Sequence, residues 1–139
     1  MLFLCTGNSC RSQMAEGYAR ALHGDAVEAV SAGTAPQGLN PLAVRAMAED
    51  GVDISGGRSK TIDEVEPSTL DLVITVCDHA HETCPVLPGA PRQVHRNFED
   101  PPRLAATARD DEAALVHYRR VRDEIREFVR ELPSLLPGS

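Results

Sequence analysis

Tryptophan is absent, and the chain carries only two tyrosines and three phenylalanines. A site that recognises an aromatic ring by flanking it has few residues to be built from. Positive charge is in short supply: 14 Lys and Arg stand against 21 Asp and Glu, for a net charge of −7. That balance, with a pI of about 5.1, argues against general nucleic-acid binding, and no helix-turn-helix pattern is recognisable. No apolar run approaches the roughly 18 residues needed to span a bilayer, so no membrane association is expected. No basic stretch precedes a cleavable apolar one. Met1 leads almost directly into a core strand, and a cytoplasmic protein is expected. Repeats, linkers and low-complexity tracts are missing, and 139 residues suffice for one domain but not two. A single domain over residues 1–139 is therefore expected. Cysteine is also scarce, with four, at positions 5, 10, 77 and 84. In a reducing compartment these are thiols, metal ligands or redox groups rather than structural bridges.

What is present is an alternation of strand and helix signals. Leu2 to Leu4 is a continuous apolar run of the kind buried on both faces of a parallel sheet. From Ser12 the period changes: Met14, Tyr18 and Leu22 recur every four residues, with Gly24 as the C-cap. Val27 to Ala32 reads as a strand and Gly33 to Gly38 as a loop. Asn40-Pro41 supplies an N-cap and first-turn pair for a helix ending near Gly51. Thr61 and Glu64 have capping-box spacing. Leu70 to Val76 is the strongest strand signal and runs into Cys77. Asp78 to Gly89 reads as loop, and Gln93 to Phe98 as a fourth strand leading to Asp100. A last helix spans Asp110 to Leu132 with Tyr118, Val121, Ile125, Phe128 and Leu132 as its apolar stripe, and Pro133 stops it. The order implies an α/β three-layer sandwich on a four-stranded parallel sheet. Ligands of such sheets bind beyond the carboxyl ends of the strands, where Cys5, Cys77 and Asp100 all fall.

The stretch Cys5-Thr6-Gly7-Asn8-Ser9-Cys10-Arg11-Ser12 is the most informative. A thiol between a strand and a helix N-terminus feels the positive end of the helix dipole, which favours the nucleophilic thiolate. Arg11 can donate two parallel hydrogen bonds to an oxyanion. The N–H groups of Thr6 to Cys10 can cradle it, with Gly7 allowing a tight turn. Ser12 is placed to hydrogen-bond the sulfur, and Cys10 to fill space inside the loop. The plain alternative is a buried cysteine ending a strand beside an unrelated arginine. Downstream, Cys77-x-His79-x-His81-x2-Cys84 has four ligand types suited to zinc, but its spacing matches neither Cys-x2-Cys nor His-x3-His. A redox pair beside two solvated histidines is the expectation, with no metal held there.

Residues 5–12 resemble the phosphate-binding loop of the low-molecular-weight protein tyrosine phosphatase superfamily. Gln13-Met14-Ala15-Glu16-Gly17 and Ser31-Ala32-Gly33 are similar to its arsenate reductase branch. The likeness continues through Asn40-Pro41, the Val73-to-Cys84 region and Asp100-Pro101, and so covers most of the chain. It implies that Cys5 is the nucleophile, that Arg11 binds the oxyanion and that Asp100 is the general acid. The last role needs a raised pKa, and a surface Asp-Pro turn is the bland alternative. Cys77 and Cys84 resemble the resolving pair of thioredoxin-coupled arsenate reductases. The implied relay runs from a Cys5–arsenic adduct through a Cys5–Cys77 disulfide to a Cys77–Cys84 disulfide, which thioredoxin reduces. Arsenate is the implied substrate, with phosphate or sulfate as competing anions. Tyrosine-specific relatives carry aromatic residues after the Asp-Pro; Pro102-Arg103-Leu104 follow here. The alternative function is a low-molecular-weight phosphatase hydrolysing phosphoesters through Cys5, with Cys77 and Cys84 incidental.

Asn8, Glu16 and Ser31 match positions that hold the loop around a potassium ion (K+) in some members of this branch. Where those proteins add an aspartate, this chain has Lys60. Its ammonium is expected to take the cation's place and pair with Glu16, the bland alternative being a solvated loop lysine.

Overall fold

β1, Leu2–Cys5, is an unbroken apolar run with no wet face, and it is buried along its whole length. In the computed structural model, residues 1–5, 7, 10–24, 29–33, 38–57, 59–61, 64, 72–76 and 92–131 are described. β1 pairs in parallel with β2, Val30–Gly33, on one side and with β3, Leu72–Thr75, on the other. β3 in turn pairs in parallel with β4, Arg92–His95, giving the order β2-β1-β3-β4. The α/β class and the four-stranded parallel sheet are as expected. Leu2, Phe3, Leu4, Leu72, Val73 and Ile74 have no solvent exposure, as the middle strands of a layered α/β fold require.

The chain leaves β1 for β2, then returns past β1 to β3. Strand order therefore reverses between β1 and β3. In open α/β sheets this switch point is where a crevice forms beyond the carboxyl ends. At that end Cys5 stands opposite Gly33, Leu4 opposite Thr75, and Thr75 opposite His95. The strand limits differ somewhat from expectation. β4 begins at Arg92 and leaves the ladder after His95, although the Arg96 and Phe98 N–H groups still donate to the Thr75 and Val76 carbonyls at 2.9 and 3.1 Å. β2 starts at Val30 rather than Val27; residues 25–28 lie outside the described ones, as do 70 and 71 ahead of β3.

α1, Arg11–His23, is buried on all sides from Ser12 to Ala19 and then emerges. Leu22, expected in its apolar stripe, is 41% exposed. Gly24 follows in a right-handed conformation, φ −56°, so the left-handed glycine cap expected there is not formed. Gly17 has a packing reason: a Cβ there would lie 2.6 Å from Ile54 Cγ2 and 3.1 Å from Met47 Cε. Only a bare Cα lets α1 approach so closely the segment that follows α2, Pro41–Glu49. Asn40 caps α2, its Oδ1 accepting from the Leu42 and Ala43 N–H groups at 2.8 and 3.2 Å. Gly51, at φ +79°, turns the chain after it. Thr61 and Glu64 form the reciprocal part of their box: Thr61 N–H donates to Glu64 Oε2 at 2.9 Å.

A short helix, α3, Pro101–Leu104, was not expected, although Asp followed by Pro is a good N-cap and N1 pair. α4, Asp111–Glu131, is capped by Asp110, which accepts from the Ala113 N–H at 2.9 Å. Its buried stripe includes Tyr118, Val121, Ile125 and Val129, and Phe128 meets Phe98 edge-on at 5.7 Å. Several charges of α4 bind α2 and its C-terminal end. Arg119 makes two 2.8 Å bonds to Glu49, and Arg126 lies 3.0 Å from Asp50. Asp50 also accepts from Tyr18 Oη at 2.7 Å. Together these contacts join α1, α2 and α4. His23, too, has a partner, its Nε2 lying 2.8 Å from the Val129 carbonyl. Among the described residues no helix is long and apolar enough to cross a membrane. Leu132 and Pro133 lie outside them.

Candidate active site

Cys5 ends β1 and is 2% exposed. Five residues on, the Cys10 carbonyl accepts from the Met14 N–H at 2.9 Å, and α1 begins. The loop between them therefore lies at the carboxyl end of a middle strand and at the positive end of a helix dipole. The first turn of α1 doubles back on the sulfur: Ser12 Oγ lies 3.0 Å from Cys5 Sγ, both buried. A hydroxyl at that distance can donate to a thiolate, which favours the ionised form.

Arg11 is anchored from the far side of the sheet. Its Nη1 donates to the Phe98 carbonyl at 2.8 Å, and its Nη2 lies 3.7 Å from Asp100 Oδ1. The guanidinium side chain is 13% exposed and that of Asp100 is 38% exposed. Asp100 occupies the N-cap position of α3, but its carboxylate makes no capping bond and faces Arg11 instead. The structure thus gathers Cys5, Ser12, Arg11 and Asp100, which lie up to 95 residues apart in the sequence (100 minus 5).

The second loop thiol is held differently. Burial pushes the Cys10 pKa well above the ordinary thiol value, and the charges of Cys5 and Asp100 push it further, against a lowering by Arg11. Cys10 is therefore held as a neutral thiol. This fits the packing role expected for it. Both side chains are buried and outside any disulfide.

Three contacts around the loop were not read from the sequence. Ser59 Oγ donates to the Gly7 carbonyl at 3.0 Å across 52 positions. The Phe98 carbonyl that holds Arg11 is a backbone group, invisible to any reading of residue types. Tyr118, taken only as core, accepts from Asn40 Nδ2 at 3.0 Å. Burial raises its pKa, against a lowering by the bond from Asn40, so its hydroxyl stays neutral near the loop. His95 lies with Nδ1 2.8 Å from Thr75 Oγ1 at the same end of the sheet.

The residues suggested for a cation give a mixed picture. The Ser31 hydroxyl is buried with no hydrogen-bond partner among the described residues. The Glu16 side chain is 10% exposed and already has a cation beside it, since Arg20 Nη2 lies 3.8 Å from Glu16 Oε2. Lys60 is half-buried, and its carbonyl accepts from the Gly33 N–H at 2.8 Å, two residues beyond Ser31. A resident hard cation needs several oxygen ligands. Among the described residues the candidate side-chain ligands are the Ser31 hydroxyl and the Glu16 carboxylate, the latter facing a guanidinium. Thr6, Asn8, Ser9, Cys77, His79, His81 and Cys84 lie outside the described residues. Among the described residues no three of His, Cys, Asp and Glu gather as metal ligands.

Residues 1–136 match the family of low molecular weight phosphotyrosine protein phosphatases. An arsenate reductase of Halalkalibacterium halodurans is 48% identical over 128 residues, covering 92% of this chain and 90% of that protein. The fold superimposes on the solved structure of an arsenate reductase in the phosphate-binding state with a TM-score of 0.75 and 32% identity, covering 97% of this chain and 96% of the other. It also superimposes on a thioredoxin-dependent arsenate reductase of Corynebacterium glutamicum, with a TM-score of 0.69 and 27% identity over 96% of this chain and 59% of that one.

Proposed function

The chain belongs to the low molecular weight phosphotyrosine protein phosphatase family, and from that membership we propose that it reduces arsenate to arsenite, drawing electrons from thioredoxin. The observation that carries the reading is the 3.0 Å contact between Cys5 Sγ and Ser12 Oγ in a loop that ends at Arg11. A thiol, a sulfur-directed hydroxyl and a guanidinium within eight residues suit sulfur attack on a tetrahedral oxyanion. Relatives that are arsenate reductases supply the direction of the chemistry.

The Cys5 thiolate attacks arsenic, an S–As bond forms, and one oxygen leaves as water. Asp100 supplies a proton for it, and Arg11 with the loop N–H groups of Thr6 to Cys10 holds the remaining oxygens. The Cys77 thiolate then attacks Cys5 Sγ. The electron pair of the S–As bond passes to arsenic, which leaves as arsenite, and a Cys5–Cys77 disulfide remains. Cys84 attacks Cys77, freeing Cys5 as a thiolate and forming a Cys77–Cys84 disulfide. Thioredoxin's dithiol returns the two electrons. Cys10, neutral and buried, takes no part. The thioredoxin-dependent relative from C. glutamicum supports this choice of reductant.

A coupled assay tests the proposal. Arsenate added to the protein with thioredoxin, thioredoxin reductase and NADPH is expected to give arsenate-dependent loss of NADPH, competitively slowed by phosphate or sulfate. Absence of turnover with an active thioredoxin system would overturn it. Hydrolysis of phosphoesters in its place would favour the phosphatase reading.

Lys60 enters the same proposal as the charge that makes a loop cation unnecessary, since its chain flanks Gly33 two residues beyond Ser31. Replacing K+ by Na+ at constant ionic strength is then expected to leave kcat/KM unchanged. A several-fold stimulation by K+ would sink the assignment of Lys60 and leave that of Cys5 standing.

A further inference from the structure

We propose that Ser59 is a positioning residue for the oxyanion loop: its hydroxyl, by holding the Gly7 carbonyl outward, keeps that peptide turned so that the loop offers N–H groups rather than carbonyl oxygen to the anion. This rests on the reading of residues 5–11 as an oxyanion cradle. It adds a residue from a distant segment whose side chain sets the loop's polarity.

A loop that presents successive N–H groups to an anion must send its carbonyls the other way, because the two groups of a planar trans peptide point in opposite directions. Carbonyls sent into a partly buried environment need donors of their own. The Cys10 carbonyl finds one in the Met14 N–H at 2.9 Å, as the first bond of α1. The Gly7 carbonyl has no helix to serve it, and the donor is Ser59 Oγ at 3.0 Å. Gly7 is also the loop residue with the fewest steric restraints, so its peptides turn over most readily when nothing holds them.

Ser59 is itself held firmly. The next residue, Lys60, accepts from the Gly33 N–H at 2.8 Å, and Thr61 bridges Gly33 in parallel fashion. Gly33 stands opposite Cys5 in the β1–β2 register. Residues 59–61 thus run alongside the sheet one step outside β2, level with the nucleophile. Two residues earlier, Gly57 lies so close to α1 that a Cβ would come within 2.6 Å of Gln13 Oε1. Residues 60 and 61 are therefore tied to the sheet at the level of the nucleophile. On the opposite side Arg11 is held by the Phe98 carbonyl at 2.8 Å. The loop is gripped from both flanks, and the two grips act on different features: one orients the guanidinium, the other a peptide plane.

The hydroxyl, not the bulk of the residue, is what this role needs. Ser59→Ala removes this donor from a part-buried carbonyl, which then turns its negative end more readily toward the anion. The test is protection of Cys5 from alkylation by iodoacetamide, read by mass spectrometry over a range of arsenate concentrations and, separately, of inorganic phosphate. Ser59→Ala is expected to raise the half-protecting concentration of either anion about tenfold, the scale of one lost hydrogen bond at a buried acceptor. Ser59→Thr, which keeps the hydroxyl, is expected to restore it to within about twofold, and Ser59→Cys, with a poorer donor of similar shape, to fall between. In turnover the Ala variant shows the change mainly in KM.

A Ser59→Ala protein protected at the wild-type concentration would overturn the inference. So would a folded Ser59→Thr protein as weakly protected as the Ala variant, because the hydroxyl would then not be what matters. If neither anion protects Cys5 in the wild-type protein, the oxyanion reading itself falls, and this inference with it. That failure differs from the first two, in which the wild type is protected.

Discussion

Arg11→Lys lowers kcat/KM for arsenate by on the order of 10²–10³-fold, the scale of a lost transition-state donor, while the chain stays folded. A lysine keeps the charge but not the fork. The guanidinium of Arg11 already faces two acceptors, one N–H going to the Phe98 carbonyl at 2.8 Å and Nη2 lying 3.7 Å from Asp100. An ammonium on a flexible stem cannot hold a backbone acceptor and a bidentate oxyanion together. The loss therefore falls on orientation as well as attraction, and both kcat and KM change. Steady-state kinetics with Arg11→Lys and Arg11→Ala, alongside thermal unfolding, check this. A Lys variant within about threefold of wild type in kcat/KM would mean that Arg11 acts as a point charge only, and the bidentate role would fail. Asp100 gives a second check. Its carboxylate shares the guanidinium with any bound anion, so its neutralisation in Asp100→Asn is expected to leave anion binding intact or tighter while slowing turnover.

Reading the sequence worked where the signal was local or strongly periodic. β1 is legible because an unbroken apolar run entering a polar loop has no amphipathic alternative. α4 is legible because its three/four spacing persists to Val129 and an aspartate caps it. The stripe of α1 misled at its end. Spacing of four residues advances about 40° around a helix at each step, so Leu22 stands some 80° from Met14 and has left the buried face. α3 has only four residues, too few to show a period. Within the site, Cys5 and Ser12 are seven positions apart, and the short connection from β1 to α1 brings them together. Ser59 and Gly7 are 52 apart and Arg11 and Phe98 are 87 apart, and both acceptors are backbone carbonyls. Residue type carries no information about which carbonyl a fold leaves needing a donor, and such contacts become visible only with the register of the sheet.

Cys77→Ser is expected to abolish thioredoxin-coupled turnover, a loss on the order of 10³-fold or more, as when a covalent catalyst loses a reacting group. The first chemical step should survive, because the loop that performs it is built without residue 77: Cys5 and Ser12 in contact, Arg11 on the Phe98 carbonyl, Asp100 facing Arg11. Arsenate should therefore still protect Cys5 from alkylation in the variant at the wild-type concentration. What fails is the electron pair. A serine hydroxyl cannot form the disulfide that lets arsenic leave reduced, so arsenite production stops although the anion is bound. Cys77 takes this step from its likeness to the resolving cysteine of thioredoxin-coupled relatives, and Cys10 is the alternative thiol. Cys10 is closer in sequence, but burial and the neighbouring negative charges keep it protonated, and a thiol is a poor attacker. Cys77 follows Val76, whose N–H donates to the Leu4 carbonyl at 2.9 Å, and Leu4 precedes Cys5. The two chains thus arrive side by side at the switch point of the sheet, where neighbouring strands are about 4.8 Å apart. Measuring arsenite release and Cys5 protection in one Cys77→Ser preparation separates binding from reduction. Arsenite release at the wild-type rate would move the resolving role to another thiol. Phosphoester hydrolysis unchanged by Cys77→Ser, with arsenate inert in both proteins, would make this loop that of a hydrolase.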